Sequence, residues 1–446
     1  MQRRISGSTA AAIAESVRDL VAVGHFQPGD SLPPIRTLAG DLNLNRNTVA
    51  AAYRQLVSMG LAVTRSRAGT VITALPQPDA ELDPAPGAVD LASGNPDPAL
   101  LPDLYAAVNA SRSEPSVYGA PAVHPGLRSV AHDLFDDAPA GELVITHGAV
   151  DAVERLLAAH LIRGDLVALE SPCFLASIGT IRLNGYRTAA VAVDEHGMTP
   201  DGLDRALREG ARAVIITPRA HNPTGASLNT GRAQELSGLL EGYPEVLVIE
   251  DDHLSMVAAA SYHRVTPATT HRWALIRSMA KFLGPDLRVA LTYTDPVTAD
   301  ALGARLRAGK TWVSHLLQGA AAHMFTDPDC MALVNSARLT YQRRLADLTA
   351  ELLQHNITPF GAPDGLNLWI DLPTDLDAGT LHTELAHAGW ATQPGHIFTA
   401  GDAPRPNALR VTTASLDQPT TGHFAAALAG LLHRKAGDGP SASHAT

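Results

Sequence analysis

One short stretch of the chain combines a lysine, a hydroxyl and a guanidinium at close spacing. Lys281 is one of only three lysines in 446 residues, and it stands three positions after Ser278 and seven before Arg288. A lysine amine condenses with an aldehyde, and a nearby hydroxyl and guanidinium suit a phosphate. These residues would therefore suit a ligand with both groups, such as pyridoxal 5′-phosphate (PLP), although an arbitrary lysine is usually a surface charge.

Apolar, strand-like runs recur along the central part of the chain. Five of them are predicted as strands: Leu143–Thr146, Leu166–Leu169, Ala213–Thr217, Val246–Glu250 and Ala274–Arg277. Helical patterns between several of them, such as Asp151–Leu161 and Leu203–Glu209, indicate an α/β domain with a largely parallel sheet. Because ligands gather at the carboxyl ends of such strands, the residues that follow each run are candidates for a site.

The residues after these strands offer contacts to an aromatic ring that carries a phosphate. Gly148 and Ala149 form a turn before a helix, where backbone amides suit a phosphate. Phe174 could stack on a ring, although a single phenylalanine is more often part of a core. The turn that begins at Asn222 fixes an amide that can donate to a phenolate oxygen. A buried Asp251 would need a cationic partner, and a protonated pyridine nitrogen is one.

Other classes of site and location are less consistent with the sequence. The Asp251-Asp252-His253 run could be a solvated acidic turn or a metal site, but no further ligand stands at a fixed spacing, so no metal is predicted. Cys173 and Cys330 make neither a disulfide framework nor a CxxC pair. No signal peptide or apolar run of membrane-spanning length is present, so a cytoplasmic protein without membrane association is expected.

Residues 1–73 differ from the rest in charge and in apolar spacing. They carry a net charge of +4, while the remainder carries −15 of the total of −11. The spacing predicts three helices, within residues 9–23, after Pro33-Pro34, and from Arg46 to about Met59, followed by a hairpin over residues 61–73. This is the winged helix-turn-helix plan, which reads DNA with its third helix. A three-helix packing domain with ordinary surface arginines is the alternative.

A resemblance to the DNA-binding domain of GntR-family transcriptional regulators covers residues 8–73. It rests on GHFQPGDSLPPIRTLAGDLNLNRNTVAAAYRQLVSMGL followed by RAGTVI. Polar side chains at the start of the third helix would enter a groove, and arginines from the second helix and the wing would reach phosphates. The predicted contacts to double-stranded DNA are Arg36, Arg46, Asn47, Thr48, Arg65, Arg67 and Gly69.

Residues 90–435 resemble the fold-type I, aspartate aminotransferase-like PLP enzymes through the motifs NPTG, EDDH and SxxKxxxPxLR. The resemblance implies that Lys281 forms the internal aldimine with PLP and that Asp251 pairs with the pyridine nitrogen. It also implies that Asn222 bonds the 3-hydroxyl group and that Phe174 stacks on the ring. Arg410, in LRVTT, would grip an amino acid α-carboxylate bidentately.

The resemblance also implies how the phosphate is held and where this chain departs from the family. The implied phosphate contacts are Ser278, Arg288, the amides near Gly148 and Ala149, and Tyr118 reaching a neighbouring subunit, so a homodimer is predicted. Tyrosine is usual where His253 stands, so an imidazole that titrates near neutrality would contact the 3-hydroxyl group. In the family a polar Gln often follows the phosphate-binding turn, whereas this chain has Val150-Asp151 there. The other phosphate contacts are therefore expected to matter more.

The predicted organisation is a mainly α, winged helix-turn-helix domain joined to an α/β fold-type I aminotransferase-like domain with a smaller α+β C-terminal subdomain. Residues 74–89 are rich in proline and read as an extended linker. Residues from about 327 to 435 form the predicted subdomain, with a helix at Arg338–Gln354 and strands at Leu366–Leu372 and Ala408–Thr412. Residues 436–446 are predicted to be disordered.

A GntR head joined to an aminotransferase-like body is the layout of MocR-subfamily transcriptional regulators. The variants RAHNPTG, PCFL and DDH look most like the PtsJ-type branch, which is associated with vitamin B6 metabolism. The resemblance implies a PLP-responsive transcription factor, with Arg410 testing a second, amino-acid-like effector. An active aminotransferase with a secondary DNA-binding head, or a GntR head on a scaffold without cofactor, are the alternatives. The intact Asn-Arg-Asn-Thr recognition helix favours the regulator over the enzyme.

Overall fold

The computed structural model describes residues 4–58, 61–65, 69–72, 81, 84–111, 116–135, 138–309 and 312–437. The chain divides into two compact units, of which the first reaches residue 78 and takes in residues 182–186, and the second contains the remainder. Within the described residues, no helix is both long and apolar enough to cross a membrane. Residues 73–80 and 438–446 lie outside the described ranges, so the limits given above for the linker and the tail remain predictions.

The N-terminal unit contains three helices followed by a hairpin. The elements are α1 (Ala10–Ala22), α2 (Ile35–Asp41), α3 (Arg46–Ser58), β1 (Ala62–Arg65) and β2 (Gly69–Ile72). The two strands pair antiparallel, with Ala62 opposite Ile72 and Arg65 opposite Gly69. The predicted winged helix-turn-helix plan is therefore confirmed.

Local side-chain chemistry explains where these helices begin and end. The Thr9 hydroxyl accepts a hydrogen bond from the Ala12 amide at 3.2 Å, and the Asn45 side chain accepts one from the Asn47 amide at 2.8 Å. Both are N-caps that satisfy free amides at a helix start. Gly24, with φ of 74°, ends the first helical segment in a left-handed conformation. The apolar faces meet in a core that includes Ile13, Val17, Leu20, Leu38, Val49, Tyr53 and Leu56.

The second unit alternates strands and helices and then continues into a more helical region. In chain order its elements are β3 (Val89–Asp90), α4 (Leu104–Ala110), α5 (Pro125–Leu134), β4 (Glu142–Thr146), α6 (Ala149–His160), β5 (Leu166–Ser171), α7 (Leu175–Asn184), β6 (Arg187–Asp194), β7 (Gly197–Met198), α8 (Pro200–Arg208), β8 (Ala211–Ile216), α9 (Thr230–Leu240), β9 (Leu247–Asp252), β10 (Trp273–Ser278), β11 (Ala290–Thr294), α10 (Pro296–Ala308), α11 (His315–Thr326), α12 (Pro328–Gln354), β12 (Asn367–Asp371), α13 (Ala378–His387), β13 (Trp390–Ala391), β14 (Gln393–Pro394), β15 (Ala408–Thr412) and α14 (Gln418–Gly437).

Eight of these strands form one sheet in the order β4-β11-β10-β9-β8-β5-β6-β7. The neighbours from β10 to β6 are parallel, whereas β11 is antiparallel to both β10 and β4. Every residue of β9 and β10 is buried, as expected for parallel strands covered on both faces. The predicted largely parallel sheet is confirmed, but the antiparallel strand β11 was not predicted.

The C-terminal part has its own antiparallel sheet and core. Strands β12, β15 and β14 form this sheet, and apolar residues of α12, α13 and α14 complete the core. The short strand β3 pairs with β13, and Leu91 joins the same core. The region near residue 90 therefore belongs structurally with the C-terminal part. Helix α14 runs to Gly437, two residues into the segment predicted to be disordered.

Candidate functional site

The predicted site residues come from one edge of the large sheet. Strands β5, β8, β9 and β10 run parallel, so their carboxyl ends lie at the same edge. Strand β4 is antiparallel to β11, which is antiparallel to β10, so β4 also ends there. Because β11 runs the opposite way, the residue Arg288 just before it lies at that edge too. Sheet topology thus gathers the predicted residues of six strands.

Lys281 follows the end of β10 and is half-buried. Its Nζ donates a hydrogen bond to the Gly94 carbonyl at 2.7 Å. Burial lowers the pKa of this amine to about 8, and the nearby Arg410 charge acts in the same direction while Glu81 opposes it. About a tenth of the amine is therefore uncharged at pH 7, and the uncharged amine is the form that attacks an aldehyde.

Asp251 lies in β9 with its side chain buried. The register places it opposite Ile276 of the neighbouring strand β10. Its Oδ1 atom is buried and has no hydrogen-bond partner among the described residues. Burial, together with the negative charge of Asp252, raises the pKa of Asp251 to about 7. A buried carboxyl oxygen without a partner is costly, so this position is suited to a cationic or proton-bearing ligand atom.

The acids on either side of Asp251 have partners within the protein. Arg219 donates from Nε and Nη2 to the two carboxylate oxygens of Asp252, both at 2.8 Å, and Arg277 donates at 3.2 Å. Burial acts to raise the pKa of Asp252, but these hydrogen bonds and charges hold it below its usual value. Glu250 accepts from the Tyr262 hydroxyl and from the amides of Val265 and Thr266. Of the three consecutive acids, only Asp251 is left for a ligand.

His253 follows these acids and lies close enough to Lys281 for their charges to interact. Burial and the Lys281 charge together lower the pKa of the imidazole to about 4, while the Asp252 charge opposes them. His253 is therefore neutral at physiological pH. The expectation that it titrates near neutrality is wrong, because that expectation took the ordinary value of an exposed histidine.

Asn222 occupies a turn that is fixed by its own hydrogen bonds. The Gly225 amide donates to the His221 carbonyl at 2.6 Å, and the His221 ring contacts the Thr224 hydroxyl at 2.8 Å. Gly225 has φ of 77°, and a Cβ there would lie 2.8 Å from the Asn367 carbonyl oxygen. The turn holds the Asn222 side chain next to Arg410, whose Nη1 donates to its Oδ1 at 3.2 Å.

His221 and Glu170 form a buried pair that sequence reasoning did not single out. The His221 Nε2 and Glu170 Oε2 atoms are 3.4 Å apart. Burial raises the pKa of Glu170 to about 8 and lowers that of His221 to about 3. Burial thus disfavours the charged form of both groups. The Thr217 amide donates to Glu170 at 3.1 Å, which ties β5 to the segment that leads to the turn.

Arg410 is completely buried in β15 and lies at the centre of several polar contacts. Its Nη1 donates to the Glu81 carboxylate at 2.6 Å, and its Nη2 donates to the Ala92 carbonyl. The guanidinium lies over the Phe398 ring, with Cζ 4.9 Å from the centroid. Burial lowers the pKa of Arg410 and the Glu81 charge opposes this. Glu81 and Ala92 were not predicted as neighbours of this arginine.

The predicted phosphate contacts meet around the start of α6. Gly148 is the N-cap of this helix, with φ of 92°, and a Cβ there would lie 3.2 Å from Nη2 of Arg288. The same Nη2 donates to the His147 carbonyl at 2.9 Å. The Asp151 carboxylate accepts hydrogen bonds from the His147 amide at 3.1 Å and from Nε of Arg155 at 2.8 Å. The start of α6, including Ala149, and the Arg288 guanidinium therefore form a cradle around Gly148. The cradle stays open because glycine has no Cβ.

The three other predicted contacts of the ligand lie in different places: Ser278 at the same edge of the sheet, Phe174 at a strand end and Tyr118 on the surface. Ser278 is buried opposite Ala290, which pairs in turn with the last residue of β4, so it lies at the same edge. Phe174 lies between β5 and α7, beside the strand end. Tyr118 is 89% exposed and its ring meets Trp312 edge-on. Its assignment to a neighbouring subunit stays a prediction.

Most of the predicted DNA contacts are exposed on the N-terminal unit where the structure describes them. Arg36 on α2 and Arg46 and Asn47 at the start of α3 are exposed, and Thr48 is partly buried. Gly69, at the start of β2, has φ of 71°, and no atom lies within 4 Å of the position that a Cβ would take there. The Arg65 side chain and the whole of Arg67 lie outside the described part of the chain. The start of α3 thus presents guanidinium and amide groups to solvent, as groove binding requires.

The residues present fit PLP. The unpartnered Asp251 Oδ1 suits the pyridine nitrogen, the half-buried Lys281 amine suits the aldehyde, and the Gly148 cradle with Arg288 suits the phosphate. Among the described residues, no group of three or more His, Cys, Asp and Glu side chains is arranged to hold a metal ion. The arrangement can therefore bind an aldehyde that carries an aromatic nitrogen and a phosphate.

Comparison with known proteins divides the chain in the same way. The family described as aminotransferase class I and II matches residues 86–428, and bacterial regulatory proteins of the gntR family match residues 9–72. The vitamin B6 salvage pathway transcriptional repressor PtsJ of Salmonella typhimurium is 44% identical over 434 residues, which cover 96% of this chain and 100% of that protein. The HTH-type pyridoxine biosynthesis transcriptional regulator PdxR of Corynebacterium glutamicum is 28% identical, with 54% of this chain and 55% of that protein covered.

Solved structures share the fold of the second unit. LysN, an α-aminoadipate aminotransferase from Thermus thermophilus complexed with N-(5′-phosphopyridoxyl)-L-leucine, superposes with a TM-score of 0.69. The match covers 79% of this chain and 94% of that chain at 21% sequence identity. At this identity the likeness concerns the fold alone, and it confirms the predicted fold-type I aminotransferase-like architecture.

Proposed function

The chain belongs to the family of regulators that join a gntR-type DNA-binding region to an aminotransferase class I and II region, and from this premise we propose that it is a DNA-binding transcriptional regulator that responds to PLP. In this proposal Lys281 holds PLP covalently, and the controlled genes belong to vitamin B6 metabolism. The names of PtsJ and PdxR support the second point, since they refer to vitamin B6 salvage and pyridoxine biosynthesis. The proposed partners are double-stranded DNA in the cytoplasm, PLP and a second copy of the chain.

The observation that carries the proposal is the buried Asp251 oxygen without a partner. The acids beside it have their own donors, so the lack of one at Asp251 is specific to that position. A pyridine nitrogen that carries a proton would give this carboxylate both a hydrogen bond and a counter-charge. An aromatic nitrogen base is therefore the ligand chemistry that this position supports best.

Each remaining site residue has a proposed part in holding the ligand. When bound, PLP supplies a reactive aldehyde and an electron-withdrawing ring. The Lys281 amine, uncharged in part near neutral pH, would capture the aldehyde. Asn222 and the neutral His253 would face the ring oxygen, and Phe174 would cover the ring. The proposed phosphate contacts are Ser278, Arg288, the amides of Gly148 and Ala149, and Tyr118 of a second subunit.

A PLP response requires that PLP binds two states of the protein with different affinity. A ligand with equal affinity for both states would shift nothing, and a tenfold change in DNA affinity corresponds to about 1.4 kcal/mol of differential binding. The proposed DNA-reading residues are those on α2, α3 and the hairpin, with Arg46 and Asn47 at base edges. The prediction is a change in operator affinity when PLP is added.

The test uses the full-length chain and a lysine that serves as a control. Operators selected from a random duplex library are titrated by fluorescence anisotropy with wild type, Lys281→Ala and Lys435→Ala, each with and without PLP. Borohydride reduction and peptide mass spectrometry then locate any covalent adduct. We expect an adduct on Lys281, and a PLP-dependent change in DNA affinity that Lys281→Ala loses and Lys435→Ala keeps. DNA affinity that is the same with and without PLP would refute the proposal.

An active aminotransferase is the second candidate, because Arg410, Asn222 and Lys281 are assembled in one chain. These residues would bind an amino acid carboxylate beside the amine that moves its α-proton. The discriminating measurement is amino-group transfer from a panel of amino acids to the bound cofactor in a single turnover, followed by turnover with a 2-oxo acid. Fast and complete turnover would favour the enzyme over the regulator.

A further inference from the structure

The Glu81 carboxylate contacts the Arg410 guanidinium. The proposed function assigns this guanidinium to a ligand carboxylate. The Oε1 atom of Glu81 is 2.6 Å from Nη1 of Arg410. The arginine side chain is completely buried, whereas the glutamate side chain is 25% exposed. The glutamate is therefore the member of the pair that solvent can reach.

Glu81 lies near the reactive amine as well as the arginine. Its negative charge raises the pKa of Lys281 against the larger effect of burial, so the two groups are close enough to interact. Gly94 connects the two cations, because its carbonyl accepts from Lys281 and a Cβ there would lie 3.6 Å from Nη1 of Arg410. Glu81 thus lies near both an amine and a guanidinium, which are the surroundings that a ligand carboxylate would seek.

The Glu81 contact does not satisfy the whole guanidinium. Only Nη1 of Arg410 bonds to the glutamate, and its buried Nε has no hydrogen-bond partner among the described residues. A free carboxylate can accept two parallel hydrogen bonds from an arginine, and such bidentate pairs are stronger than single contacts. A small carboxylate can therefore replace a tethered one that makes a single bond.

We propose that Glu81 is an internal occupant of the Arg410 subsite, and that an amine-bearing carboxylate effector must displace it. This inference rests on the proposed function, because that function assigns Arg410 to a ligand carboxylate. Glu81 follows Ile72, the last residue of β2, by nine positions. The displaced carboxylate thus belongs to the connection between the DNA-binding hairpin and the α/β unit, and effector binding is coupled to the state of that connection.

Propionate is a suitable probe, because it reproduces the end of a glutamate side chain and lacks an amine. Its affinity is measured by isothermal titration calorimetry on the full-length protein, with and without PLP. The variants are Glu81→Gln, which keeps the shape, Glu81→Ala, Arg410→Lys, and the control Glu154→Gln, an exposed acid on α6. If Glu81 occupies the subsite about nine-tenths of the time, removing its charge lowers the apparent Kd of propionate roughly tenfold.

The expected pattern is tighter propionate binding in both Glu81 variants, no change in Glu154→Gln, and weak binding in Arg410→Lys. Operator affinity should shift when propionate is added to the wild type, and should already be shifted in Glu81→Gln without propionate. Unchanged propionate affinity in both Glu81 variants would overturn the inference, as would an equal gain in Glu154→Gln. Tighter propionate binding with no shift in operator affinity would overturn the coupling.

These outcomes separate the inference from the proposed function. PLP capture is read on Lys281 by reduction and mass spectrometry, independently of propionate. PLP capture together with unchanged propionate affinity would refute only the role of Glu81. Absence of PLP capture together with a tenfold gain in propionate affinity would refute the PLP proposal and leave the Glu81 contact as a carboxylate switch.

Discussion

Replacing Asp251 with asparagine should stabilise the cofactor-free protein at alkaline pH while weakening PLP binding. Burial and the charge of Asp252 raise the pKa of Asp251 from 3.8 to about 7. At about 1.36 kcal/mol for each pKa unit, this difference of roughly three corresponds to about 4 kcal/mol. Ionised Asp251 therefore destabilises the folded, cofactor-free state by up to about this amount.

The pH dependence of this effect follows from the direction of the pKa change. Because folding raises the pKa, the protonated carboxyl contributes stability that is fully present below about pH 3.8 and is lost as the pH rises through about 7. Asparagine does not ionise and does not undergo this loss. Its buried amide costs about 1–3 kcal/mol if it finds no partner, so the expected net gain is about 1–3 kcal/mol above pH 7, and none near pH 4.

The assay is urea unfolding followed by tryptophan fluorescence. All four tryptophans, at 273, 312, 369 and 390, lie beyond residue 90, so their signal reports on the α/β unit. The free energy of unfolding is compared at about pH 5 and about pH 8.5 for the cofactor-free wild type, Asp251→Asn and the control Asp300→Asn, an exposed acid on α10.

Addition of PLP should reverse the order of stability at alkaline pH. The wild type gains a charge-assisted hydrogen bond at Asp251 that the asparagine variant lacks, so PLP should stabilise the wild type more. If Asp251→Asn showed the same pH dependence of unfolding as the wild type, Asp251 would not carry the burial penalty derived above. Equal stabilisation of both proteins by PLP would show that Asp251 does not meet the ligand.

Three further substitutions test other parts of the structure. Asp252→Asn should lower the free energy of unfolding by about 3–5 kcal/mol in the same urea assay, because the largely buried Arg219 and the buried Arg277 lose their carboxylate. A loss below about 1 kcal/mol would contradict this. Gly148→Ala should weaken PLP binding about tenfold or more, since φ is 92° and the new Cβ would lie 3.2 Å from Nη2 of Arg288; PLP absorbance titration measures it. Asn47→Ala should reduce operator affinity by about 1–3 kcal/mol but leave non-specific DNA binding unchanged. Arg36→Ala should weaken both kinds of binding and reduce the salt dependence of DNA affinity. Fluorescence anisotropy on operator and scrambled duplexes distinguishes the two effects.

The strand-end part of the site was predictable because each contributor follows an apolar run of its own. Asn222, Asp251 and Lys281 each come just after or at the end of such a run, and parallel strands bring those ends to one edge. The antiparallel strand β11 was missed, although it explains why Arg288 reaches the same edge. Its apolar run is short, and only its pairing on both sides marks it as an interior strand.

Contacts between distant positions and the effects of burial could not be predicted from the sequence. Glu81 and Arg410 are 329 positions apart, and Glu81 stands among acids and prolines that look like solvated linker. The pKa of His253 depends on burial and on the Lys281 charge, and neither can be read from residue type. The pairing of Asp252 with two arginines likewise depends on which face of β9 each acid occupies.

The hydrogen bonds on both sides of Asp251 bear on how the site receives its ligand. Glu250 is bound by four donors and Asp252 by two arginines, so strand β9 cannot slide or rotate without breaking several of these bonds. The carboxylate between them is preorganised, and a ligand that binds it loses little free energy to ordering the protein. Affinity at this position should therefore depend mainly on the ligand's own charge state, so that a neutral nitrogen and a protonated one of the same shape are strongly discriminated.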